Sequence, residues 1–291
     1  MTVINTNIRA VMVQNALQSN DRTLTSAMQQ LSSGKRINSA KDDAAGLAIS
    51  SRMTQEIQAL DQASRNANDA ISLIQTAEGS TAEITSMLQR MRELAIQSVN
   101  DTNSDEQREL LNGEFQQLKQ QIDQVATSTQ WNGFSILDGT PGSSGVLSFQ
   151  VGSGADQQLK ITLGNFSKTG TINNGVTGDL VVTPPATAPT ITKKISTSAT
   201  AIAALVYLSD AMTKVNEQRA NMGAVMNRLQ HVIDNLTNVS ANTTQSRSTI
   251  EDANYAKVSS SLARAQIIQQ AATAVLAQAN TSQQTVLKLL Q

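Results

Sequence analysis

The chain contains no cysteine, so disulfides, thiolate metal sites and a cysteine nucleophile are all excluded. Histidine occurs once, at His231. A zinc site, an H-E-x-x-H helix or a Ser-His-Asp triad would each have to be built around that single ring, which on its polar helix face reads as a solvated surface residue. No apolar run approaches the ~20 residues that a bilayer span requires, and the N-terminus MTVINTNIRAVMVQNALQ lacks a basic segment followed by an apolar stretch. A soluble protein without a conventional cleaved signal is expected. Lysine and arginine total 22 against 23 aspartate and glutamate, a formal net charge of -1, which supplies no electrostatic footprint for nucleic acid or an anionic membrane. Aromatic residues are 2% of the composition, too few to fill a conventional globular core. Long helices with narrow seams suit a chain dominated by Ala, Ser, Thr, Asn and Gln better.

The scarce helix breakers are segregated. All four prolines, Pro141, Pro184, Pro185 and Pro189, and ten of the fifteen glycines, Gly133 to Gly178, fall in the middle of the chain. Because proline costs a helix interior ~3 kcal/mol and glycine ~1 kcal/mol, this divides the sequence into two helical arms and an irregular or β centre.

The C-terminal arm carries the clearest periodicity. Leu205, Leu208, Met212, Val215, Arg219, Met222, Met226, Leu229, Ile233 and Leu236 alternate steps of three and four, the seam of a coiled coil with Arg219 as its one non-apolar member. Leu111, Phe115, Leu118, Ile122 and Val125 repeat the pattern, and Ile84, Met87, Leu88, Met91, Leu94 and Ala95 add an amphipathic stripe. A helix from about Ala45 to Val99 would be roughly 80 Å long at 1.5 Å per residue, so a rod is expected. The segment NDTNSDE reads as a turn with Asn103 or Ser104 capping the next helix. The runs VLSFQV (146–151) and LKITLG (159–164), separated by GSGADQQ, read as a β-hairpin. Residues 167–196, rich in Thr, Gly, Asn and Pro, read as a small surface insertion. At the ends of the chain, Val13, Leu17, Leu24, Met28 and Leu31 form one thin stripe, and Val258, Leu262, Ala265, Ala272, Leu276 and Ala279 form another. Neither suffices alone in water; they are expected to pair with each other or with neighbouring molecules, or to stay disordered until they do.

The densest charge cluster is LSSGKRINSAKDDAAGLAIS (31–50), with Lys35, Arg36, Lys41, Asp42 and Asp43 inside nine residues. It is no phosphate loop, since Gln29 replaces the first glycine and Arg36 the hydroxyl residue. Adjacent aspartates on a helix point about 100° apart and do not share a metal. The stretch reads as a joint: Leu31 closes one stripe, Gly34 supplies a left-handed stop, and Ser39 with Asp42 has the spacing of a capping box for the next helix. Ala44, Ala45 and Gly46 would allow close helix approach, and the charges would fix the joint through pairs within or between subunits. Gly152-Ser-Gly154 lies between strands and reads as turn chemistry. No constellation supports catalysis, a cofactor or a metal. Two classes of function fit: a structural subunit that polymerises through its helical ends, or a signalling coiled coil of the chemoreceptor type, although the latter would want an uninterrupted helical hairpin.

Five stretches in order, VINTN (3–7), LSSGKRINSAKDDAAGLAIS (31–50), QRMRELAIQ (89–97), WNGFSILDG (131–139) and LARAQIIQQAATAVLAQAN (262–280), give the chain a close resemblance to bacterial flagellin. The resemblance implies a mainly α protein, a long helical hairpin or coiled-coil rod with a small β-hairpin region and a short variable insertion. It implies an inner-tube terminal coiled coil of 1–42 with 253–291, an outer-tube rod of 43–166 with 197–252, and a variable surface insertion at 167–196. The function implied is filament subunit for swimming motility, exported unfolded through the flagellar type III channel and assembled outside the cell. Its partners would be further copies of itself, the filament cap, hook-filament junction proteins and an export chaperone. Inner-tube packing would fall to Leu17, Leu24, Leu31, Leu262, Leu276, Leu287, Leu289 and Leu290, and the joint to Gly34, Lys35, Arg36, Ser39, Lys41, Asp42 and Asp43. A supercoil switch would lie in the hairpin around Gly152 and Gly154. Recognition by a vertebrate Toll-like receptor would use Gln89, Arg90, Glu93, Leu94, Gln97 and Glu114, with Arg90 and Leu94 forming a charged and apolar pair on one face. The chain ends VLKLLQ, which departs from the family's common Leu-Leu-Arg ending. The hook-filament junction protein is the rival within the same appendage.

Overall fold

The computed structural model describes residues 7–142, 145–166 and 194–289, with side chains described as far as Thr281. Most of the expected insertion, together with Leu290 and the side chains of Leu287 and Leu289, lies outside the described residues. Among the described residues five helices, α1 (Ile8–Ser33), α2 (Ala44–Val99), α3 (Asp105–Ser128), α4 (Ser198–Glu251) and α5 (Tyr255–Leu289), accompany two antiparallel strand pairs. The first joins β1 (Gln130–Trp131) to β2 (Phe134–Ser135), and the second β3 (Val146–Gln150) to β4 (Gln158–Thr162). The helices occupy the arms that lack proline and the strands the glycine-rich centre, so the class is mainly α with a small β-hairpin region. The chain packs as two units, one of 1–57 with 241–291 and one of 58–240, divided inside α2 and α4.

In the first unit α1 and α5 lie antiparallel. Asn7 Nδ2 reaches the carbonyl of Ala279 at 3.4 Å, and Asn20 Nδ2 that of Ala265 at 2.7 Å. Asp21 Oδ1 accepts from Gln269 Nε2 at 3.2 Å. Buried Ala10, Asn20 and Ala27, together with half-buried Val13, Leu17, Leu24 and Leu31, advance in steps of three and four, a coiled-coil seam. On α5 the expected Val258, Leu262, Ala265, Ala272, Leu276 and Ala279 are buried or half-buried, with Gln269 completing the series. Met28 is corrected: it is 57% exposed, and Ala27 takes its place facing the partner helix.

In the second unit α2 runs antiparallel to both α3 and α4. Ser80 Oγ bonds Thr129 Oγ1 and Arg90 bonds Glu114. On the other side Ser198 Oγ reaches the Val99 carbonyl and Ser240 Oγ reaches Asp61. One continuous core takes Leu73, Ile74, Ile84, Leu88 and Leu94 from α2, Phe115 and Ile122 from α3, Leu159 and Ile161 from β4, and Val215, Met222 and Leu229 from α4. Leu159 and Ile161 point inward while Gln158, Lys160 and Thr162 are exposed, the period-two alternation of a strand with one buried face. Gln218 Nε2 ties α4 to the Thr162 carbonyl at 2.9 Å.

The expected α4 seam is rotated by part of a turn. Ala201, Ala204, Leu208, Ala211, Val215, Gln218, Met222, Leu229 and Leu236 are the buried positions, whereas Leu205, Met212, Met226 and Ile233 are only partly buried at the edge of the face. Arg219 is likewise a shoulder residue, 3.7 Å from Glu78. α3 behaves alike: Arg108, Asn112 and Ala126 are buried beside Phe115 and Ile122, and Leu111, Leu118 and Val125 flank them. α3 starts on a full capping box, with Ser104 and Gln107 exchanging side-chain and backbone bonds. The WNGF stretch is a two-residue hairpin in which Asn132 and Gly133 have φ of 47° and 84°, the signature of a type I′ turn.

Truncating Leu229 to Ala should cost about 2–5 kcal/mol in urea unfolding of the monomer. The same change at Leu110, which is 78% exposed, should stay within about 0.5 kcal/mol. Equal midpoint shifts in the two variants would contradict this placement of the core.

Candidate functional site

The charged stretch at 31–50 folds as a joint within the first unit. Gly34 ends α1 with φ 72°, and its N–H donates to the Gln30 carbonyl, a left-handed cap that spares a Cβ. Just beyond it the chain pairs with the end of α4. Arg36 N donates to the Glu251 carbonyl at 2.6 Å, Ala253 N to the Gly34 carbonyl at 2.9 Å, and Lys35 opposes Asp252 in an antiparallel bridge. Lys35 Nζ lies 2.5 Å from Glu251 Oε1, and Arg36 Nη2 reaches the Ile250 carbonyl at 2.5 Å. Tyr255 Oη contributes a longer bond to the Leu31 carbonyl. Glu251, Asp252 and Tyr255 carry no mark in the sequence that ties them to Gly34 to Arg36; the only local signal is Asn254, which caps α5 through Lys257 N.

The cap of α2 corrects the expected capping box. Asp43, not Ser39, caps the helix, its Oδ1 accepting from Gly46 N at 2.8 Å. Ser39 and Asp42 close a separate turn one step upstream. Asp42 Oδ2 accepts from the backbone N–H groups of Asn38 and Ser39 and from Ser39 Oγ, while Asp42 N donates to the Ser39 carbonyl. The hydroxyl of Ser39 bonds Asp42 first, then its backbone amides with those of Asn38, and together they hold the carboxyl below its ordinary value of 3.8. Close approach is confined to Gly46, where a Cβ would stand 2.6 Å from Ile37 Cδ1; Ala44 and Ala45 are exposed. Lys35 is thus paired, Arg36 bonded to backbone, and Asp42 and Asp43 spent on local turns. An open groove of about 1220 Å³ beside the joint is lined by Arg22, Arg36, Lys41, Asp42, Asp252 and Lys257 among others.

The second set of residues divides differently. Gln89, Arg90, Glu93, Gln97 and Glu114 are exposed. Arg90 is held by Glu114 at 2.9 Å and Glu93 at 3.0 Å, and the Glu114 bond, followed by that of Glu93, raises its pKa further. Leu94 does not share this face: it is 1% exposed and belongs to the core. Four-residue spacing made it a neighbour of Arg90 along the helix, but burial turns it toward α3 and α4. In the hairpin loop, Gln150 Nε2 donates to the carbonyls of Gly152 and Gly154, and Gln157 Oε1 accepts from Gly154 N. A Cβ on Gly152 would collide with Gln157, whereas one on Gly154 meets it at ordinary contact distance. Leu17, Leu24, Leu31, Leu262 and Leu276 are half-buried along α1 and α5. Among the described residues no group of three or more His, Asp or Glu is placed to hold a metal, no helix is long and apolar enough to cross a membrane, and His231 is exposed.

The bacterial flagellin N-terminal helical region matches residues 4–141, and the bacterial flagellin C-terminal helical region matches residues 205–290. A flagellin of Halalkalibacterium halodurans is 41% identical over 288 residues, covering 99% of each chain. One of Bacillus subtilis is 38% identical over 301 residues at the same coverage. Among solved structures, Bacillus cereus flagellin is 30% identical with a TM-score of 0.46, covering 62% of this chain and 94% of that one. A flagellar hook-associated protein of Vibrio parahaemolyticus shares the fold at a TM-score of 0.56 and 14% identity, over 72% of this chain and 100% of that one.

A carboxylate with a lowered folded pKa stabilises the fold above its unfolded value and loses that contribution as pH falls through the folded pKa. Asp42 should therefore hold its turn throughout the range above 3.8 and release it only below. In an NMR titration the Asn38 and Ser39 amide resonances should shift with a midpoint under 3.8; a midpoint above that value would refute the turn.

Proposed function

The chain belongs to the bacterial flagellin family, a family of structural proteins that build the extracellular flagellar filament, and from that premise we propose which surfaces of this chain do the work. The observation that carries the reading is the apolar surface left on the terminal helix pair. Ile8, Val11 and Met12 on α1, and Ile267, Ile268 and Val275 on α5, are 44% to 67% exposed, although the seam between the two helices is built largely from Ala and Leu. Exposed apolar side chains in such numbers mark an interaction surface, and in a polymerising family the covering partner is another copy. The inner-tube role of 1–42 with 253–291, the outer-tube role of 43–166 with 197–252 and the surface role of 167–196 are part of this proposal, as is export through the type III channel with the help of a chaperone. Cap and hook-junction proteins would meet the same terminal helices at the filament's ends.

In this proposal the joint at Gly34, Lys35, Arg36, Ser39, Lys41, Asp42 and Asp43 holds the geometry of assembly, and Arg36 and Lys41, which line the groove beside it, meet neighbouring subunits. The hairpin loop at Gly152 and Gly154 is the candidate for the two-state element of supercoiling. Recognition of the free monomer by a Toll-like receptor would use Gln89, Arg90, Glu93, Gln97 and Glu114, a set supported by their shared exposure and by the Arg90 ion pairs.

Seeded with filament fragments, the purified chain should grow long tubes by electron microscopy, whereas persistent monomers would favour a junction or signalling protein. Arg36→Glu and Asp42→Lys should each cut filament yield about tenfold, the effect of about 1.4 kcal/mol at an interface, while circular dichroism of the monomer is retained. Undiminished yield from both would remove the joint from the assembly mechanism, and unaltered wavelength in Gly152→Ala filaments would remove the hairpin from the switch. In a receptor reporter cell line, monomer should stimulate and intact filament should not, and Arg90→Ala should weaken the response about tenfold. Silence toward the unaltered monomer would overturn the receptor reading.

A further inference from the structure

A second surface, within the second unit, is charged rather than apolar. Between β4 and the middle of α4 lies an open groove of about 610 Å³ whose lining includes Lys160, Lys214 and Arg228, with Glu217 as its one carboxylate. Its floor includes Met222 and Gln218, buried at 1% and 7% exposure. Among the described residues none of the three cations is in an ion pair. Lys160 projects from the exposed face of β4, opposite Leu159 and Ile161 in the core.

A complementary segment lies at the other end of the same unit. The capping turn and first turns of α3 present Asp101, Asp105, Glu106 and Glu109, all exposed. Asp101 binds Arg108, and among the described residues the other three carboxylates have no cationic partner. This turn follows the end of α2, which sits beside the start of α4, where Ser198 Oγ reaches the Val99 carbonyl. From Ser198 to Lys214 and Arg228 the helical rise is roughly 24 to 45 Å. Within one chain the acidic turn and the basic groove therefore cannot meet.

We propose that the groove lined by Lys160, Lys214 and Arg228 receives the acidic turn Asp101–Glu109 of a second copy. The contact joins two different patches related by a shift along α4, so it is heterologous and extends without closing. That geometry deepens the filament reading, on which it rests. Opposite unpaired charges steer the approach and fix the register, and a formal net charge of -1 keeps long-range repulsion between copies small. Surface pairs of this kind are screened by salt, so elongation should slow as ionic strength rises.

Elongation from seeds is measured by sedimentation for the unaltered chain, Lys214→Glu, Glu106→Lys and the variant carrying both. Each single reversal should raise the subunit concentration left unassembled about tenfold, and the double variant should return to within about threefold of the unaltered chain. Singles that assemble normally would overturn the inference, and so would a double variant no better than the singles, as expected if the groove holds a small anion instead. If the unaltered chain fails to elongate, the filament reading falls and this contact with it. A reversal that loses helical circular dichroism as a monomer passes the question to cross-linking. In this cysteine-free chain, Glu106→Cys with Lys214→Cys places two thiols too far apart to bridge within one molecule. Treating those filaments with a short dithiol-reactive linker should give a ladder of covalent multimers, and monomer alone would overturn the contact.

Discussion

Close packing of helices on alanine is the constraint from which the rest of this structure follows. With aromatic residues at 2%, the core cannot be filled by a few large rings. It is filled by bringing helix backbones together, with Ala63, Ala67, Ala70 and Ala77 buried on α2 and Ala201, Ala204 and Ala211 buried on α4. An alanine contributes little apolar area, so stability must be gathered over many turns. That requirement explains helices of 56 and 54 residues. It also explains why proline is kept out of them and why most of the glycines fall where the chain turns to strand.

An alanine seam is smooth, and smooth seams slip. The polar residues buried among the alanines supply what the apolar ones cannot, because each bonds a backbone carbonyl at one level only. Asn20 bonds Ala265, Gln218 bonds Thr162, and Ser98 Oγ bonds the carbonyl of Ile195. Sliding either helix by one turn would leave a buried amide or hydroxyl unpaired, a cost of about 1–3 kcal/mol each. The same logic holds the chain where it returns from the central region. Ile195 is fully buried, with its N–H taken by Asn112 and its carbonyl by Ser98.

This division of labour decides what could be seen in the sequence. Large apolar residues at helical spacing mark α2, α3 and α4, and alternating runs around a glycine-rich turn mark the hairpin, because periodicity is carried by the chain itself. The exact face was missed on α3 and α4, since Leu205, Met212 and Leu111 are conspicuous but lie at the edge, while Ala204, Ala211, Gln218 and Asn112 at the centre look like surface residues. The burial of Leu94 is hidden from the sequence for a related reason, since four-residue spacing reports neighbours on a helix and not which of them is buried. At the joint, Gly34 was legible from its type. Its pairing with Glu251 to Ala253 was not, because two residues of ladder between distant segments leave no period.

The contrast between the two helix systems bears on how a polymerising chain keeps from aggregating too soon. The second unit gathers most of its large apolar side chains into a continuous core, with Leu110, Ile202 and Val206 among the few left exposed. The terminal pair does the reverse, with a thin inner seam and Ile8, Met12 and Ile267 left at the surface. A weak seam stabilises the pair little by itself, and the larger gain comes when those residues are covered. Under the proposed covering of the terminal pair by another copy, the same few apolar side chains would serve folding and association together.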